Sequence, residues 1–140
     1  PKKAVGEEME QNIQTVIVMV KKLRITSFSG ADNTVSISVL LNDSKDRELN
    51  WKTKIDEPKL MAARMLTELM ALEEGECAEF DGETLTTNAI VVLYEKARTE
   101  AALADFFQTI YSKTKRIKNA RSSDGFLNMV SDLRRTELVL

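Results

Sequence analysis

The segment TVSISVLL, residues 34–41, decides the fold, because its apolar residues recur at every second position. This period of two is typical of a β-strand that buries one face. The apolar residues that share that face are Val35, Ile37, Val39 and Leu41. No other part of the chain has so regular an alternation, and we therefore take it as the first strand to place.

Turn-forming residues flank this strand on both sides. SGADN at 29–33 precedes it and NDSKD at 42–46 follows it, and Gly, Asn, Asp and Ser are the residues that favour turns. After the second turn, ELNWKTKI at 48–55 alternates in the same way, which predicts another strand. One face of that strand holds Leu49, Trp51, Thr53 and Ile55. For the tryptophan we predict packing of the sheet against helices, with a binding platform as the alternative.

The stretch before the first turn, IQTVIVMVKKLRITS at 13–27, admits two interpretations. As a helix, it would gather Met9, Ile13, Val16, Ile17 and Val20 on one face. Its many β-branched residues favour a strand, because they lose side-chain freedom in a helix. The strand face would contain Ile13, Thr15, Ile17, Met19, Lys21, Leu23 and Ile25. With the strand interpretation, the first third of the chain is predicted to form an antiparallel three-stranded meander.

The rest of the chain has helical periodicity. We predict helices over about 59–74, with Asp56 or Glu57 as the cap, over about 88–118, and over about 124–136. The second of these would be unusually long against an average of about 11–12 residues. Its apolar stripe would contain Ile90, Tyr94, Ala97, Ala101, Ala104 and Gln108, broadened by Leu93, Leu103, Phe106, Phe107 and Ile110.

This order of elements, strands first and helices afterwards, favours an α+β fold over a βαβ arrangement. A length of 140 residues lies within the roughly 100–200 residues of one domain. We interpret residues 1–11 as an N-terminal tail and residues 12–140 as a single α+β domain.

The composition argues against an enzyme. The chain has no histidine and one cysteine, which excludes Ser-His-Asp and Cys-His catalysis within one chain and zinc sites of the Cys/His type. The five glycines lie too far apart for a phosphate-binding loop. We therefore predict a non-enzymatic protein with no cofactor, no metal and no evident small-molecule substrate.

The single cysteine fits a reducing compartment. The apolar run Val16–Val20 is far shorter than the roughly 20 residues that span a bilayer. We therefore predict a cytoplasmic protein without a membrane partner.

The net charge of −2 conceals two segments of opposite sign. Residues 65–95 contain eight acidic residues and no Lys or Arg, whereas residues 106–123 contain five basic residues and no acid. Within the first segment, EEGECAEFDGE at 73–83 does not have the spacing of an EF-hand loop, and we interpret it as a solvated acidic connection. The basic residues are Lys113, Lys115, Arg116, Lys118 and Arg121.

The basic segment, together with Tyr111, is our candidate nucleic-acid contact. Lys and Arg neutralise phosphates, and the tyrosine ring offers a surface on which a base can stack. Two structural alternatives remain open: the cations complement the dipole of a helix C-terminus, or they pair with the acidic segment. A functional alternative is a protein–protein adaptor or a homo-oligomeric assembly protein, in which the long helix packs on a partner and the charged segments orient it.

Overall fold

A computed structural model describes residues 16–42, 48–73, 77–80, 83–86, 90–93, 95–120 and 124–140. Over these residues the chain has an antiparallel sheet at its N-terminal end followed by three helices, one of them long. The predicted α+β fold is thus confirmed. The predicted tail at 1–11 lies outside the described residues.

The predicted meander is present. Strands β1 (Val16–Ser29), β2 (Thr34–Leu41) and β3 (Glu48–Lys54) pair antiparallel in the order β3-β2-β1. The strand interpretation of 13–27 is therefore confirmed from Val16 onwards, and residues 13–15 lie outside the described part of the chain. The alternating residues predicted to share a face in β2 and β3 are all buried.

The predicted face of β1 is wrong in part, because a register shift interrupts the alternation. Val20 and Lys22 pair with consecutive positions of β2, so Lys21 is an extra residue, as in a β-bulge. An extra residue moves all later side chains to the other face. Val20 and Leu23 are therefore both buried, whereas Met19 and Lys21 are exposed. A second shift occurs near the end of the strand.

The inner face of the sheet packs against the first two helices, α1 (Pro58–Glu73) and α2 (Lys96–Asn119). Trp51 is buried, and its ring centroid lies 6.0 Å from that of Phe107 in an edge-to-face contact. The predicted packing of Trp51 between sheet and helices is thus confirmed. The core that results contains Leu23, Ile37, Val39, Leu41, Trp51, Met61, Met65, Leu69, Leu103, Phe107, Ile110 and Leu133, among others.

Helix α1 begins where the sequence predicts. The carbonyl oxygen of Glu57 accepts hydrogen bonds from the backbone N–H groups of Leu60 (3.0 Å) and Met61 (3.1 Å). Pro58 is the first helical residue, a position where proline loses no helical hydrogen bond. The buried face of the helix includes Met61, Met65 and Leu69.

Residues 77–93 contain three strands that the sequence pattern did not reveal. Strands β4 (Cys77–Phe80) and β5 (Glu83–Thr86) form a two-stranded antiparallel sheet, of which β4 lies within the predicted acidic connection and β5 begins at its last residue. Strand β6 (Ile90–Leu93) pairs in parallel with the start of β1. The first part of the predicted helix over 88–118 is therefore wrong. The sequence of β6, IVVL, is rich in residues that favour strands, but periodicity alone cannot distinguish a strand from a helix in so short an apolar run.

The long helix is confirmed, but it begins at Lys96 because Glu95 caps it. The Glu95 carboxylate accepts hydrogen bonds from the backbone N–H groups of Ala97 (3.2 Å) and Arg98 (2.6 Å). Capping in this way satisfies donors that have no partner within the helix.

The core-facing side of α2 also differs from the prediction. Ala97 and Ala101, which belong to the predicted stripe, are exposed. The residues that face the core are Thr99, Leu103, Phe106, Phe107, Ile110, Thr114 and Ile117. Four of the residues predicted to broaden the stripe, Leu103, Phe106, Phe107 and Ile110, are thus at its centre, and the fifth, Leu93, belongs to β6.

The chain ends with a third helix, α3 (Phe126–Arg134), and a short strand, β7 (Glu137–Val139). Leu133 of α3 is fully buried. Strand β7 pairs antiparallel with β1 on the side away from β2. No described helix is long and apolar enough to cross a membrane.

Candidate nucleic-acid interface

The candidate residues lie on the last three turns of α2. Between Phe106 and Asn119 the helix contains no acidic residue. The predicted site residues placed there are Tyr111, Lys113, Lys115, Arg116 and Lys118. Arg121 lies outside the described residues. The structure divides the four placed cations into three groups with different surroundings, and Tyr111 has surroundings of its own.

Lys113 is held by the end of the chain. Its ammonium group donates a hydrogen bond to Thr136 Oγ1 (2.8 Å) and lies 3.2 Å from Asp132 Oδ2. Only 24% of the Lys113 side chain is exposed. Because its charge is already compensated and its position is fixed, Lys113 joins α2 to α3 and is a poor candidate for a phosphate contact.

We therefore expect Lys113→Ala to lower the free energy of unfolding by about 1 kcal/mol, through loss of a partly shielded ion pair and of a hydrogen bond to a buried hydroxyl. Lys115→Ala, two residues away on the same helix, is the matched control and should change it by less than about 0.5 kcal/mol. Urea unfolding of both variants measures the difference, and equal effects would contradict the assigned role of Lys113.

Lys115 and Arg116 form the second group. Both side chains are exposed, and neither has a hydrogen bond or ion pair to any residue that the structure describes. Arg116 lies in the last turn of α2, where a cation complements the helix dipole. Lys115 lies before that turn, so the dipole alone does not account for it.

Lys118 is tied to the turn between β1 and β2. Its ammonium group donates a hydrogen bond to Asn33 Oδ1. Asn33 in turn donates from Nδ2 to the carbonyl oxygen of Ile55 (3.0 Å) and accepts from the Ile55 backbone N–H (2.8 Å). The turn, the end of β3 and the last part of α2 are therefore connected through one asparagine.

Tyr111 is half-buried and packs against the hydrophobic core. Its ring is therefore less free to stack on a base than the sequence suggested. The tyrosine also lines a cleft of about 260 Å³ at the edge of the basic segment. The other residues of the cleft are Asn33, Ile55, Asp56, Glu57, Thr114, Lys115 and Lys118.

Five of the cleft residues are not among the predicted site residues: Asn33, Ile55, Asp56, Glu57 and Thr114. The sequence predicts Asp56 or Glu57 as a helix cap, Asn33 as part of a turn and Ile55 as part of a strand face. The one local signal for the cleft is the pair of carboxylates at Asp56 and Glu57, immediately before α1. A helix that is preceded by two acidic residues has both at one end, where they can face a neighbouring element.

The chemistry of the site is that of charge recognition. Among the described residues, no group of three or more Cys, Asp or Glu side chains is placed to hold a metal ion. The arrangement instead offers two cations without a partner among the described residues, Lys115 and Arg116, and Lys115 lines a cleft with acceptors and donors on its walls. No protein-family model, curated protein or solved structure matches the chain.

Proposed function

We propose that the protein is a non-enzymatic binding protein that contacts nucleic-acid phosphates through Lys115 and Arg116. The observation that carries the proposal is that both cations are exposed and unpaired to any described residue, on a helix segment without acids. Cations that stabilise a fold are commonly paired, as Lys113 is. Two that are not paired are free to neutralise phosphates and release their counterions.

The spacing of the cations supports a bound anion. Lys115 and Lys118 are three residues apart on the helix, and like charges at that spacing destabilise a helix by about 0.2–0.5 kcal/mol. A phosphate bound by Lys115 would offset the charge of that lysine and so lower the repulsion. The segment therefore carries a small electrostatic cost that an anionic partner lowers.

Neutralising the two cations should weaken binding in a way that salt reveals. We expect Lys115→Gln combined with Arg116→Gln to lower affinity for a single-stranded 20-nucleotide DNA and to reduce the slope of log K against log salt by about 1.4, which is roughly 0.7 for each lost phosphate contact. Fluorescence anisotropy between about 50 and 200 mM salt measures both quantities.

The matched control makes the same change of charge at the other end of the same helix. Lys96→Gln combined with Arg98→Gln removes two exposed cations from the first turn of α2 and should leave the slope unchanged. Equal losses in the two double variants, or no binding by the unmodified protein, would refute the proposal. A stable dimer that binds no nucleic acid at either low or high salt would favour the alternative, a homo-oligomeric assembly protein.

A further inference from the structure

The cleft beside Lys115 has walls of opposite charge. Asp56 and Glu57 lie on the side of α1, and Lys115 and Lys118 lie on the side of α2. No ion pair joins one wall to the other among these four described residues. Opposite charges that face the same cleft without touching leave room for a ligand that complements both.

The two walls differ in how much hydrogen-bonding capacity they retain. The Asp56 carboxylate is engaged by Arg64 Nη1 (3.4 Å) and by the Glu57 backbone N–H (2.8 Å), whereas the Glu57 carboxylate has no partner among the described residues. Lys118 gives one hydrogen bond to Asn33 and keeps the other two donors of its ammonium group.

These groups define the ligand. A carboxylate only accepts hydrogen bonds and an ammonium only donates them, so the ligand needs donors along one edge and acceptors along the other. The cleft volume of about 260 Å³ is below the roughly 300–1,000 Å³ of sites for drug-sized ligands. It suits one planar group, for which Ile55 and Tyr111 supply apolar wall.

We propose that the cleft binds an unpaired guanine base of a single-stranded nucleic acid, with Glu57 accepting from the base and Lys118 donating to it. Guanine carries an amino donor at N2 and acceptors at O6 and N7, and Lys is a common partner of those two acceptors. Single strands present such edges because their bases can be splayed out. Lys115 lines the cleft and also makes the proposed phosphate contact, so it connects the two sites. This inference rests on the proposed function.

Asn33 prepares the cleft for this ligand. It holds the Lys118 ammonium in place while itself being fixed to Ile55 by two hydrogen bonds. A donor that is already positioned costs less entropy to use than a freely rotating lysine. The guanine O6 atom therefore meets a donor whose direction the fold has set.

The test compares two ten-nucleotide single-stranded DNAs, an oligothymidylate and the same chain with one central guanine. We expect the protein to bind the guanine-containing strand at least about fivefold more tightly, the lower end of what a good side-chain pair contributes to base discrimination. In Glu57→Gln this preference should disappear, while affinity for the oligothymidylate stays within about twofold. Glu100→Gln removes an exposed acid from α2 outside the cleft and should keep the preference.

The outcomes separate the two proposals. Equal, salt-dependent binding of both strands by the unmodified protein would overturn the guanine site and leave the phosphate contact standing. Two further strands carry a central adenine or cytosine, and tighter binding of either than of the guanine strand would have the same consequence. A preference that survives in Glu57→Gln, with circular dichroism showing a native fold, would also overturn it. Failure to bind either strand would overturn both proposals together.

Discussion

Replacing Phe107 by alanine is expected to lower the free energy of unfolding by about 3–5 kcal/mol. The side chain is fully buried, and its ring contacts those of Trp51 and Phe106, with centroid distances of 6.0 and 5.4 Å. Truncation removes the buried ring and leaves a cavity between sheet and helix that close-packed neighbours fill only in part. Because Phe107 joins β3 to α2, the loss affects both layers of the core.

Trp51 provides the measurement, because it is the only tryptophan and lies against Phe107. For Phe107→Ala, guanidinium unfolding followed by Trp51 fluorescence should show a lower midpoint than for the unmodified protein. The slope of the unfolding free energy against denaturant concentration should be unchanged, which indicates a loss of stability alone. Gln108→Ala, at the neighbouring exposed position, should change stability by less than about 0.5 kcal/mol. A loss below about 1 kcal/mol for Phe107→Ala would contradict its place in the core.

The core face of α2 was hard to predict because of its alanines. Alanines tolerate either burial or exposure, so a stripe of them extends an apolar pattern without belonging to the core. Ala97 and Ala101 did this in the long helix. In β2 and β3, by contrast, large apolar residues recur at alternate positions, and the residues predicted to share a face are all buried.

Strand β6 escaped prediction for a different reason. Its partner is β1, more than 70 residues earlier in the chain. A four-residue apolar run does not indicate which distant segment it will pair with. Its residues also fit the helical pattern that follows them. The residue that caps the helix, Glu95, is not among the preferred capping residues Ser, Thr, Asp and Asn, so the sequence gives only a weak signal for the start of the helix at Lys96.

The candidate site shows the same limit. The cluster of cations was visible in the sequence, but which cations are free depends on distant partners. Lys113 meets Asp132 and Thr136, and Lys118 meets Asn33, which is 85 residues away. Only the fold separates these two from Lys115 and Arg116.

The largest effect outside the core is expected at Asn33. Asn33→Ala should lower the free energy of unfolding by about 2–3 kcal/mol, from strain and lost hydrogen bonds together. The residue has a φ of 56°, in the left-handed region that asparagine tolerates and alanine resists. Its side chain also donates to the Ile55 carbonyl and accepts from Lys118.

Two further variants divide this loss into its parts. Asn33→Gly loses the same side-chain bonds without the left-handed strain, so it should be about 1 kcal/mol more stable than Asn33→Ala. Asn33→Asp keeps an acceptor for Lys118 but removes the donor to Ile55. Thermal and urea unfolding of the three variants measures the series, and equal stability of the alanine and glycine variants would show that backbone strain has no part in it.

The same series connects stability with recognition, because Asn33 positions Lys118 at the cleft. Asn33→Gly frees the lysine while leaving Lys115 and Arg116 untouched. We therefore expect it to retain salt-dependent binding of single-stranded DNA but to lose part of the preference for a central guanine. Asn33→Asp, which holds the ammonium group more strongly, should keep more of that preference than Asn33→Gly does. Equal preference in the two variants would mean that Lys118 acts only in folding and that the turn has no part in binding. The opposite order would contradict the positioning role of Asn33, because it would show that a freed Lys118 serves the base better than a held one.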